Sequence, residues 1–209
     1  MNTGDVRWVG IGRVAVAVPE EWGTNELRCG TPVRDTVIVD VAMVELCHLP
    51  RPPDVDSLEF GQGSPPGDVV ATEVSQVDGV QMHRGQTDSL LQPDNGVRVW
   101  SSTVSLPGEG LWIRAESSRG PEQVNEVLGR VSVLRDGIGI PPRNSSSDNE
   151  RDEEQTGLYA QRLLDLGLEV TVERRVMEGP SAGHLLKVSP QPGTVVPEGT
   201  RVVLTVVGD

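Results

Sequence analysis

Aromatic residues are scarce: four Trp, one Tyr and one Phe make up 3% of the 209 residues. A core built on aromatic stacks is thereby excluded, and the aliphatics, valine above all, must fill the interior. Valine suits strands, because its branched Cβ is stiff and fits a pleated surface. Lysine is nearly missing as well. Lys187 is the one lysine, and the net charge is −13 with a pI near 4.6. Such a chain repels phosphate backbones and anionic lipid surfaces, which argues against nucleic acid as a partner. No apolar run approaches the 18 or so residues that a membrane span needs. The longest, "VGIGRVAVAV", carries Arg13. The opening "MNTGDVRWVG" has neither the basic start nor the apolar middle of a secretory leader. Taken literally, these absences give a cytoplasmic protein.

Chemistry-bearing residues are sparse too, with three His and two Cys. Cys29, Cys47 and His48 are the only metal-ligand set that suggests itself. They lack the C-x-x-C or H-x-x-x-H spacing of a real site, so no metal is expected. His83 and His184 have no acid or nucleophile at motif spacing. "GIGRVA" has the first two glycines of a dinucleotide loop but not the third, and it lies in a strand pattern. Nucleophile-elbow, S-x-x-K, P-loop and zinc-protease signatures are all missing. The sequence therefore predicts no catalytic residue, no cofactor and no enzyme.

What is present is punctuation. With 24 Gly and 16 Pro between valine-rich runs, the chain reads as α+β, rich in strands and turns. "VRWVGIGRVAVAVP" gives one or two strands, with Val14, Val16 and Val18 on one face and Pro19 as the stop. "DTVIVDVAMVELC" is apolar on both sides, which suits a central strand. Asp78-Gly79 is a two-residue hairpin signal, and Pro107-Gly108 marks a second hairpin. A helix opens at Pro121 and carries Val124, Val127, Leu128 and Val131 as one stripe. The expectation for residues 1–138 is a twisted antiparallel sheet covered by at least one helix. Residues 139–155, "GIPPRNSSSDNERDEEQ", offer few apolar groups to offset chain entropy and read as a flexible linker. Residues 156–209 form a third segment. Its order is helix, strand, strand, strand, with a left-handed cap at Gly167.

"VAVPEEW" and the closing hairpin and helix of the first segment loosely resemble PsbP-like domains. The third segment resembles the PASTA domain, the module associated with penicillin-binding proteins and serine/threonine kinases. Gly167, Leu168 and Val170 match the end of its helix and its next strand. Gly183, Leu185, Pro190 and Gly193 match its middle motif in register. Val196, Gly199, Val202, Leu204 and Val206 match its last strand. The resemblance departs at the start. "DNERDE" stands where the family has its opening strand, with Glu153 at a glycine position, and Tyr159 falls where alanine is usual. The family's opening strand is thus expected to be missing or replaced, leaving an edge or helix face for something else to cover.

The PASTA likeness implies an extracytoplasmic bacterial protein of the cell envelope. Its signal or anchor would then be absent from this chain, and Met1 would not be the true start. It also implies that the module binds peptidoglycan stem peptides or scaffolds an envelope protein. A muropeptide carries carboxylates, so arginines in a groove would be its natural partners. The cations available are Arg174, Arg175, Lys187 and Arg201. In an oxidising compartment Cys29 and Cys47 would form a stapling disulfide, against the alternative of two reduced thiols. The competing reading of the whole chain is an enzyme or regulator with an unrecognised site in residues 1–138.

Overall fold

Alternating small β-branched residues set the architecture seen in the computed structural model, which describes residues 5–39, 49–65, 71–143, 152–177 and 182–208. Two compact units emerge. Unit 1 takes residues 1–9 and 14–133, and unit 2 takes residues 10–13 and 134–209.

Unit 1 begins with β1 (Val6–Ile11), whose last residues belong to unit 2, and β2 (Val14–Pro19). Short pieces follow: β3 (Gly23–Thr24), β4 (Leu27–Arg28), β5 (Thr31–Pro32) and β6 (Thr36–Ile38). Longer strands come next: β7 (Asp56–Gln62), β8 (Ala71–Val77), β9 (Val80–Gly85), β10 (Asp88–Leu91) and β11 (Arg98–Leu106). After a 3-10 turn over Pro107–Glu109 come β12 (Leu111–Ser117), helix α1 (Pro121–Leu128) and β13 (Val131–Val133).

β1, β2 and β13 make a three-stranded sheet. The larger, eight-stranded sheet runs β3-β6-β7-β12-β11-β9-β8, with β10 added beside β11. It is mixed rather than wholly antiparallel, because β3 pairs β6 and β6 pairs β7 in parallel at one end. Val14, Val16 and Val18 are fully buried, as their alternation requires. Asp78 and Gly79 both take positive φ, 48° and 85°, the conformation that matches a tight turn to the twist of its strands. α1 packs on β11, β12 and β2 through buried Val124, Val127 and Leu128. Val131, expected on the helical stripe, instead opens β13 opposite Val16. The helix stops one turn early at Gly129, and the sheet takes up the valine. Of the expected central strand only Thr36–Ile38 is seen as strand, and residues 40–48 lie outside the described residues.

Unit 2 holds β14 (Ile138–Gly139), helix α2 (Asp152–Asp165), β15 (Glu169–Arg175), β16 (Leu185–Ser189), β17 (Val195–Val196) and β18 (Arg201–Val207). Its main sheet runs β15-β18-β16, parallel then antiparallel, and β14 pairs β17. The stretch expected as a linker over 139–155 is therefore partly structured. Gly139 is in a strand, Ile140 is fully buried, and α2 has begun by Asp152. Residues 144–151 lie outside the described residues. The core of the unit gathers Ile138, Ile140, Tyr159, Leu163, Leu168, Val196, Val202 and Leu204.

Candidate functional site

Unit 2 is built around a helix whose buried side is Thr156, Tyr159 and Leu163, at spacings of three, four and seven. That stripe meets the inward residues of β18, Val202 and Leu204. The opening strand expected to be missing is supplied from upstream. Ile138 lies opposite Val196 and Gly139 opposite Val195. Ile140 N–H donates to the Thr194 carbonyl at 3.0 Å, and Gly193 N–H returns to the Ile140 carbonyl at 2.7 Å. On its other side Gly139 exchanges hydrogen bonds with Gly12, at 2.8 and 2.6 Å. A Cβ on Gly139 would stand 2.2 Å from the Gly10 carbonyl carbon. Only glycine permits that approach, because the backbone of Gly10 occupies the space of a side chain.

Tyr159 explains its own departure from the family pattern. It is 4% exposed, and its hydroxyl donates to the Pro141 carbonyl at 2.8 Å. An alanine there would leave a cavity beside the displaced strand and an unsatisfied carbonyl. Thr156 similarly donates to the Gly183 carbonyl at 3.0 Å. Gly183 has φ 83°, and a Cβ on it would fall 2.7 Å from the Glu153 Cα. The loop before β16 thus lies directly on the first turn of α2.

Polar groups gather at that first turn. Arg143 Nη2 donates to Asp152 Oδ1 at 3.4 Å and to the Gln155 side chain. His184 Nδ1 lies 3.2 Å from Asp152 Oδ2. Near the other end of the helix, burial pulls the Arg162 guanidinium below its ordinary pKa, with Tyr159 opposing.

The four cations expected to line a groove do not converge. Arg174 and Arg175 are neighbours on β15 and so point to opposite faces. Arg174 shares the α2 side with Val170 and lies 3.5 Å from Glu153. Arg175, Lys187 and Arg201 share the other face, through the registers Arg175–Val207, Lys187–Thr205 and Glu169–Arg201. Arg201 and Val207 stand at opposite ends of β18, about 20 Å apart at 3.3 Å per residue. Arg201 also lies 3.9 Å from Glu169.

Unit 1 concentrates charge inside its large sheet. Arg51, 2% exposed, donates to the Val55 carbonyl, Ser57 Oγ at 3.0 Å and Glu116 Oε2 at 2.7 Å. Its backbone is clasped by Gln92 and Asn95, at 3.0 and 2.8 Å. Burial lowers the Arg51 pKa, and Glu116 and Asp56 oppose it. Arg119 bridges Asp35 and Asp56, and Asp56 also accepts from Ser117 at 2.6 Å. Burial opposes the charge on Arg119, but the hydrogen bond to Asp35 and the charge of Asp56 outweigh it and raise its pKa. On the same sheet Glu59 lies opposite Arg114. Burial pushes the Glu59 carboxyl up, Arg114 pulls it back, and Glu116 adds to the rise. Arg114 stands 5.6 Å from the centroid of Trp112, whose indole lies over Gly61.

Among the described residues no group of His, Cys, Asp and Glu is placed to hold a metal ion. No described helix is long and apolar enough to cross a membrane. Cys29 sits in the β4–β5 turn at φ 53°. Cys47 and His48 lie outside the described residues, and with them the expected pairing. His83 is on β9 opposite Ser105.

No curated protein matches the chain. One solved structure similar to part of it is a crystal structure of penicillin-binding protein 2X from Streptococcus thermophilus, at 12% identity and a TM-score of 0.24. That similarity covers 62% of this chain and 22% of that one. The model of the PASTA family matches residues 158–208. It does not extend to residues 1–138, where the PsbP likeness remains an expectation. The matched residues fold as a helix laid across a three-stranded sheet, and the C-terminal quarter of this chain is a PASTA domain.

Proposed function

We propose that the chain is a non-catalytic bacterial cell-envelope protein whose PASTA domain scaffolds an envelope partner or binds peptidoglycan stem peptides. The observation that carries this reading is the family match over residues 158–208. Of the two versions, scaffolding has the better support. The candidate cations are split between two faces, and Arg174 and Arg201 each face a carboxylate of their own unit. A ligand carboxylate needs a convergent, bidentate clamp to compete with water. Arg175 and Lys187 alone share a face near one end of β18, on the strands either side of it.

Titrating the isotope-labelled full chain with muropeptides tests the choice. Shifts of the Arg175 and Lys187 neighbourhoods would favour stem-peptide binding, and unmoved amides across 156–208 would leave scaffolding. An extracytoplasmic address belongs to the same reading, and so does a Cys29–Cys47 disulfide. Counting thiols in the unfolded, unreduced protein tests both. No free thiol is expected, whereas two would favour a reducing compartment.

A second reading, an enzyme or regulator in residues 1–138, draws support from Glu59. Its carboxyl is half-buried and its pKa raised, which is how proton-transferring acids are tuned. Against it, the other buried charges of that sheet are matched by neighbours and so serve the fold.

A further inference from the structure

The exposed edge of the PASTA sheet points to a second copy of this chain as its partner. β15 is an end strand, paired to β18 on one side and to no described strand on the other. Six of its seven residues are exposed. A strand that pairs along one edge only has alternate residues whose N–H and C=O face outward. In β15 the odd residues serve β18: Glu169 N–H donates to Thr200 and the Arg175 carbonyl accepts from Gly208. The outward set is therefore Val170, Val172 and Arg174, a ready template for another strand.

The side chains choose which strand fits. Within "EVTVERR" the charges run negative at one end and positive at the other. A parallel, in-register copy would set Glu on Glu and Arg on Arg. An antiparallel copy on a two-fold axis at Val172 sets Glu169 against Arg175 in both halves, and Val170 against Arg174. Sliding the copy by one pleat either way brings Glu169 onto Glu173, or Glu173 onto itself. Only the Val172 register makes opposite charges meet without a like-charged pair, and such cross-strand pairs stabilise while like charges repel. In that register the outward residues exchange both of their backbone bonds, and Val172, 47% exposed, is covered by its symmetry mate.

We propose that two copies of the chain associate edge to edge through β15, antiparallel about Val172. Sedimentation over a concentration series tests this on the full chain. The weight-average mass is expected to climb from 22.5 kDa toward that of a dimer, and less so at high salt. Glu169→Arg and Arg175→Glu each place like charges across the axis twice, and each should weaken association about tenfold. The double exchange E169R/R175E restores the pairing and should return the affinity to near its original value. Glu169 also faces Arg201, but that exposed contact contributes little. Val172→Pro removes an outward N–H without touching the ladder to β18 and should abolish the dimer. Far-UV circular dichroism checks that it folds, and the charge exchanges stand without it. A protein that stays monomeric throughout would overturn the proposal. So would a dimer indifferent to both single exchanges, or a double exchange that restores nothing.

Discussion

Both units close on apolar residues, but unit 1 also seals Arg51, Asp56 and Ser117 against its large sheet among neighbours that satisfy each of them, whereas the core of unit 2 gathers eight apolar or aromatic residues. The two cores therefore fail differently when altered. A matched internal charge adds little net stability, yet removing one partner strands the other. An aliphatic core loses stability in proportion to the volume removed. Unit 2 is also small, so the handful of residues contributed from upstream of its family match carry a large share of its buried surface.

The largest effect should come from the charged side. Arg51→Ala takes the donor from Glu116 and Ser57 and empties the space of a side chain that is 2% exposed, and should cost about 4 kcal/mol. Denaturant unfolding followed through tryptophan fluorescence reads this, since Trp22, Trp100 and Trp112 all lie in unit 1. A cost below ~1 kcal/mol would erase the contrast between the cores. Next comes the aliphatic side, where Ile140→Ala removes a fully buried side chain and should cost unit 2 about 3 kcal/mol. Tyr159→Phe keeps the ring and deletes the bond to Pro141. It should cost about 1 kcal/mol, seen as faster amide exchange in α2.

Glu59 gives the smallest effect and a pH signature. Its folded pKa is raised chiefly by burial, so charging it costs more in the folded chain than in the unfolded one. That penalty is absent at pH values below the ordinary glutamate pKa and sets in as pH rises through it. Glu59→Gln should accordingly stabilise unit 1 slightly at neutral pH, with the gain vanishing in acid. A gain that instead grew toward low pH would reverse the sign and the cause.

How much of this was legible in the sequence depended on the length of each signal. The β8–β9 turn announced itself through Asp78-Gly79, and α1 through Pro121 and its stripe, because both are local. β7 passed unnoticed although it sits between β6 and β12. In "DSLEFGQ" only Leu58 and Phe60 alternate as apolar residues, and Glu59 and Gly61 are explained by Arg114 and Trp112, which the chain supplies much later. The PASTA motifs stood out because Gly167, Gly183, Gly193 and Gly199 all adopt positive φ, a backbone demand that fixes residue type. β14 did not stand out. It is two residues long and followed by two prolines, so composition favoured a linker. Tyr159 was the one available hint, as a large residue in a small residue's place. The four candidate cations were read without a register, and strand alternation is what separates Arg174 from Arg175.

The claim on which the account of unit 2 rests is that Ile138–Ile140 replaces the opening strand of the PASTA domain. Site-resolved hydrogen exchange on the full chain, comparing the native protein with Ile140→Ala, tests it most directly. The account predicts that the Val202 and Leu204 amides of β18 lose about a hundredfold in protection, the equivalent of ~3 kcal/mol. Unchanged protection at those two amides would contradict it, and would mean that the domain closes its core without the upstream strand.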